Sequence, residues 1–193
     1  MVLLSYSEKG GCVFALVDTY SNTPGWAKKL IQKVLQAEGI DRIQITWSRT
    51  TSSNTGGTAW PFAPLPRIEV YVHAAPLIHQ RDVLIHELAH IIREKDRVYQ
   101  SRHPWHDQEF YRILFYWQSK VGNFYYSALQ EIEYKPRGAR KALASLGIDH
   151  TRIVPKARYR FSVEESEVLK KLKKNVLPYE KGWSTIDVDI DMI

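Results

Sequence analysis

The order of apolar and polar positions divides the first two thirds of the chain into short elements. Residues 11–18 (GCVFALVD) are an apolar run that suits a strand or a short helical lead-in. Asn22 or Thr23 can then cap a helix whose first turn accepts Pro24. Ala27, Leu30, Ile31, Val34 and Leu35 recur at helical spacing until Gly39 stops it. In 42–48 (RIQITWS), Ile43, Ile45 and Trp47 alternate with polar neighbours, the signature of a half-buried strand. Residues 49–66 hold Gly56, Gly57 and three prolines and read as a long mobile connection. In 67–73 (RIEVYVH), Ile68, Val70 and Val72 share one face, and Glu69, Tyr71 and His73 the other. Prolines on both sides keep that strand short and place it at or near a sheet edge.

The next run, RDVLIHELAHII (81–92), predicts a helix with Val83, Leu84, Ile85, Leu88, Ala89, Ile91 and Ile92 wrapped around most of it. His86 and His90 are four residues apart, so they stand one above the other on one face. Two imidazoles held in that way can grip a single small cation, with Glu87 beside it. This H-E-x-x-H pattern is one in which the histidines bind zinc and the glutamate is the general base. A chance match, given the His and Glu content of the chain, has odds of about 1–2%. An ordinary buried helix with hydrogen-bonded histidines is the competing reading. It is weakened because polar groups on so apolar a helix need partners, and a metal would satisfy them together.

A catalytic zinc needs a third protein ligand and an open position. After a polar connector (93–102), a second periodic run begins with Phe110, Ile113, Leu114 and Trp117. His106 lies at its start, where a side chain can swing towards a neighbouring helix, and is the expected third ligand. His103 is the next choice, and Glu109 the one for a two-histidine, one-carboxylate site. Tyr71, His73, Tyr111 and Tyr116 are each chemically able to stabilise an oxyanion, and each is also an ordinary packing or surface residue.

Farther on, GARKALASLGI predicts a short basic helix ending at Gly147, and RIVPKARYRFS a strand. Ser162 and Glu165 form a capping box for a final helix, and an acidic alternating tail closes the chain. The charge of +6 is unevenly spread: residues 135–160 hold eight basic side chains against Asp149 alone. They are Lys135, Arg137, Arg140, Lys141, Arg152, Lys156, Arg158 and Arg160. Clustering of one sign suits a polyanion such as DNA or another nucleic acid, although a merely solvated face looks the same. With 44% hydrophobic residues the chain can build a core. A lone Cys12 excludes an intramolecular disulfide and a Cys-rich zinc ribbon. The N-terminal residues lack the pattern of a secretory signal, and no run reaches the ~18 apolar residues of a spanning helix. A cytoplasmic location is expected, with association with DNA or the nucleoid as its variant, and no membrane partner.

Taken together, Trp47-Ser48-Arg49, Gly56-Gly57, Ile68, His86-Glu87-His90 and His106-Asp107-Gln108-Glu109-Phe110 resemble a SprT-like zinc metallopeptidase domain. That family includes Spartan-type DNA–protein crosslink proteases. The resemblance covers about residues 24–120, with Asp107 where the family usually has Gly and no Cys-based zinc module after the domain. It implies an α+β zincin-like core: an N-terminal helix, a small mixed sheet with an edge strand, the HExxH helix and a second metal-ligand helix. That core is expected over 1–126, with a basic extension over 127–193. The expected activity is zinc-dependent endopeptidase, with Zn2+ on His86, His90 and His106 and Glu87 as base, acting on protein near DNA. Two alternatives stay open: a zincin peptidase with no nucleic-acid role, and a non-catalytic binding protein in which a structural metal pins two helices.

Overall fold

A computed structural model describes residues 2–5, 14–18, 22–48, 56–72, 75–95, 105–134, 136–149 and 151. Along them run β1 (Val2–Ser5), β2 (Phe14–Asp18), α1 (Gly25–Glu38), β3 (Arg42–Trp47), β4 (Gly57–Trp60) and β5 (Arg67–Val70). The remaining elements are α2 (Leu77–Glu94), α3 (Gln108–Lys120), α4 (Phe124–Tyr134) and α5 (Pro136–Ser145). The fold is mixed α+β, and the chain divides into two compact units, residues 1–101 and 102–193. The division between 126 and 127 that the sequence suggests falls inside α4. Lys135, His73, His103, Cys12 and everything after 151 lie outside the described residues. So do the strand at 152–162, the final helix with its Ser162–Glu165 box, and Arg152, Lys156, Arg158 and Arg160.

In the first unit the strands form one sheet in the order β1-β2-β3-β5-β4. The inner pairs β2–β3 and β3–β5 are parallel, and antiparallel strands flank them on both sides. The period-2 pattern has its expected consequence. Ile43, Ile45 and Trp47 on β3 and Ile68 and Val70 on β5 are all fully buried. The register sets Ile45 beside Ile68 and Trp47 beside Val70, so they share one face. α1 packs beside β2, while α2 crosses β4 and β5. Trp26 of α1 meets Trp47 edge-on at 5.7 Å, and the Arg81 guanidinium of α2 stands 5.9 Å from the Trp26 ring. At the far ends of these helices the Lys95 ammonium donates to the Glu38 carbonyl at 2.7 Å and to its carboxylate at 3.1 Å. A cation there neutralises the negative end of α1.

One expectation needs correction. Residues 49–66 are not a connection throughout, because Gly57–Trp60 form β4 and pair with β5, Gly57 opposite Val70 and Trp60 opposite Arg67. Four residues flanked by glycines and prolines carry little strand signal of their own, and it is the ladder to β5 that makes them a strand. β5 is thus second from the edge, in keeping with the expected place at or near it, and β4 is the outer strand among the described residues. The opposite face of this pair is polar and half-buried, with the Arg67 guanidinium 4.2 Å from the centre of the Trp60 ring.

In the second unit α3, α4 and α5 pack on one another. The predicted period of α3 is realised, with Phe110, Ile113, Leu114 and Trp117 buried. Residues 124–134, for which the pattern predicts no element, form α4. α5 ends at Ser145, and the chain then turns through Leu146 and Gly147, close to the predicted stop. Ala139, Ala142, Leu143 and Leu146 are buried, whereas Arg137, Arg140 and Lys141 stand exposed along the outer face of α5. Among the described residues no helix is long and apolar enough to cross a membrane.

Candidate metal centre

α2 begins four residues before the predicted stretch and carries His86, Glu87 and His90 in its middle. Its seven apolar residues from Val83 to Ile92 are all buried. At about 1.5–3 kcal/mol for each large side chain, they outweigh the cost of also burying Glu87 and His90, at 6% and 7% exposure. The helix therefore holds polar chemistry in an apolar bed. Its periodicity brings the His86 and His90 rings to 5.2 Å between centroids.

His106 sits on the turn just before α3. Asp107 is the N-cap of that helix, and its carboxylate accepts from the Phe110 amide at 2.9 Å. Asp107 thus has a physical role: an aspartate cap satisfies an amide that the helix leaves open. The His106 ring lies 4.7 Å from Phe110, edge to face, and 6.1 Å from Tyr111. The ligand atoms of His86, His90 and His106 all lie within 4.8 Å of one another. These three histidines can hold a metal ion. Nitrogens bound to one tetrahedral zinc at 2.0–2.1 Å would be about 3.4 Å apart. Glu109 does not belong to this group.

No protein-family model, curated protein or solved structure matches the chain.

Glu87 follows His86 along the helix, and its side chain lies against β4. A Cβ built on Gly57 would come within 2.8 Å of Glu87 Cγ, 2.9 Å of its Oε1 and 2.9 Å of the Glu69 carbonyl oxygen. Only glycine lets the β4 backbone lie so close to this carboxylate. The sequence marks Gly57 only as a turn residue; its place as the wall behind Glu87 needs the pairing of β4, which no local pattern announces.

The oxyanion candidates part company. The Tyr71 hydroxyl donates to Glu69, and burial, followed by that carboxylate, raises its pKa. A smaller contribution from Glu87 acts in the same direction. Tyr111 is wholly buried, and its hydroxyl donates to Glu131 of α4 at 3.1 Å. Burial first, and the Glu131 charge second, push its pKa far above the ordinary value. Tyr111 is thereby a packing residue with an engaged hydroxyl. Tyr116 is half-buried, with the Lys120 ammonium 5.4 Å from the centre of its ring.

Proposed function

We propose that this chain is a zinc-dependent endopeptidase with a zincin-like core, acting on proteins associated with DNA. The observation that carries the reading is the gathering of three imidazoles, two of them from an HExxH helix, within 4.8 Å. Three neutral nitrogen donors with one position left over are the donor set of a catalytic zinc, whereas a structural zinc has four protein ligands. When bound, zinc supplies Lewis acidity, polarising a carbonyl and making water acidic enough to ionise near neutral pH.

The residues of the chain do the rest. His86, His90 and His106 hold the ion. Glu87, kept in place by the β4 backbone, accepts a proton from the attacking water and returns it to the leaving amine. Among the described residues β4 is the outer strand and lies beside α2, so an extended substrate segment can pair with its outer side and lie along the helix. Polyanion binding is assigned to the outer face of α5, where Arg137, Arg140 and Lys141 are exposed together. Tethering to DNA would make an unselective cleft selective by raising the local concentration of substrate.

The decisive experiment pairs elemental analysis with peptidase assays on Glu87→Gln and His106→Ala. Glu87→Gln is expected to keep zinc and lose at least about 10²–10⁴-fold in activity, and His106→Ala to lose zinc. Full activity in Glu87→Gln removes Glu87 as the base. Joint reversal of Arg137, Arg140 and Lys141 to Glu is expected to weaken DNA binding and flatten its salt dependence. An unchanged affinity rules out α5 as the tether, whereas activity on a free protein substrate that does not respond to added DNA favours a peptidase with no nucleic-acid role.

A further inference from the structure

α5 lies some thirty residues beyond His106 in sequence, yet its first turn is built against the turn that carries this histidine. A Cβ at Gly138 would come within 2.9 Å of the His106 carbonyl oxygen, and within 2.5 and 3.0 Å of Cε2 and Cδ2 of Tyr111. Neither neighbour can easily give way. The carbonyl belongs to the backbone of the ligand itself, one residue before the Asp107 cap. The Tyr111 ring is fully buried, packed 5.2 Å from Phe110 and 5.8 Å from Phe115, and tethered through its hydroxyl to Glu131.

We infer that Gly138 is a positioning residue for the metal centre: by lacking a side chain it lets α5 seat the His106 backbone, and so fixes where the third imidazole points. The inference rests on the metal-binding reading above. It adds that α5, whose composition speaks only of a basic surface, is part of the scaffold of the ligand set. Gly138 has room for nothing larger. An added methyl must push either α5 or the His106 turn by several tenths of an ångström, and a ligand set is sensitive to displacements of that size.

The test is zinc affinity, measured on the full chain by competition with a chromogenic chelator, for the parent protein, Gly138→Ala, His106→Ala and the double variant. Circular dichroism checks that each is folded. Gly138→Ala is expected to weaken zinc binding about tenfold or more, and His106→Ala at least as much. The double variant should bind no more weakly than His106→Ala alone, because Gly138 acts through that ring. A glycine needed only for packing would lower the melting temperature and leave the zinc affinity of the folded protein unchanged. That result, or an equal loss in both backgrounds, overturns the inference. Should Gly138→Ala not fold, Tyr111→Leu/Gly138→Ala takes its place, measured against Tyr111→Leu alone. This variant removes the ring and keeps the contact with the His106 carbonyl, and the same non-additivity with His106→Ala is expected. If the parent protein binds no zinc, the metal reading itself fails, an outcome distinct from zinc binding that is indifferent to Gly138.

Discussion

Glu87 and His106 are both held by a backbone that comes unusually close, but the two seats are built differently. Glu87 rides in the middle of α2, where helical geometry alone sets its angle to His86 and His90, and β4 closes in from the side at Gly57. His106 precedes its helix, so no regular hydrogen-bond ladder orients it. Its position is assembled from the Asp107 cap, the rings of Phe110 and Tyr111, and α5 at Gly138. The first seat is mostly local and rigid; the second is mostly tertiary. Errors at the first should therefore damage chemistry without disturbing the ion, and errors at the second should disturb the ion.

The largest effect that tests this contrast is expected from Gly57→Ala. The new methyl meets Glu87 Cγ at 2.8 Å on one side and the Glu69 carbonyl at 2.9 Å on the other. The Glu69 carbonyl belongs to the paired strand and resists movement, so the carboxylate has to shift. Misplacing a general base by about 1 Å costs on the order of 10² in rate. On the proposed peptidase reading, kcat/KM should fall by about that factor while zinc content, measured on the same sample, stays at the parent level. A variant that loses zinc instead would show that the two seats are not separable. One with full activity would show that β4 does not position Glu87.

The same contrast explains how far the sequence could be read. The spacing of His86, Glu87 and His90 and the apolar wrap of α2 are properties of consecutive residues, and the helix keeps them. The alternation of Ile43, Ile45 and Trp47 and of Ile68 and Val70 likewise survives as one buried sheet face. His106 is legible as a histidine at a helix start, and its cap is legible too, since Asp107 lies three residues before the amide it satisfies. What could not be read depends on partners far along the chain. β4 is a strand only because β5 pairs with it, and Gly138 matters only because α5 folds back on Tyr111 and His106. Both glycines stand in segments whose composition points elsewhere, to a loop in one case and to a basic surface in the other.

Tyr111→Phe sharpens the comparison by separating stability from positioning. The substitution keeps the ring against Gly138 and deletes the hydroxyl that donates to the buried Glu131. Loss of a hydrogen bond to a charged, buried acceptor costs about 1.5–3 kcal/mol, so the variant should unfold more readily while its zinc affinity stays within about twofold. The pH dependence carries a sign. The folded protein raises the Tyr111 pKa, by burial and then by Glu131, whereas an unfolded tyrosine ionises near 10. Above that pH the unfolded chain releases a proton that the folded chain retains, and stability falls. For this one group the slope is about 1.4 kcal/mol per pH unit. Denaturant unfolding between neutral pH and pH 11 should show a shallower alkaline decline in Tyr111→Phe than in the parent.

The smallest effect concerns the cap. Asp107→Ala removes the acceptor for the Phe110 amide, and loss of such a cap costs about 1 kcal/mol. Asp107→Asn retains an acceptor and should recover most of that stability. Because His106 adjoins the cap, fraying of the first turn of α3 should also loosen the ligand. Zinc affinity is expected to fall a few-fold in Asp107→Ala and to return in Asp107→Asn. If both variants lose affinity equally, the charge of Asp107 matters at the ion and not its hydrogen bond to Phe110. If Asp107→Ala loses stability while holding zinc as tightly as the parent, the His106 seat is supplied by α5 and the aromatic rings, with the cap only finishing the helix.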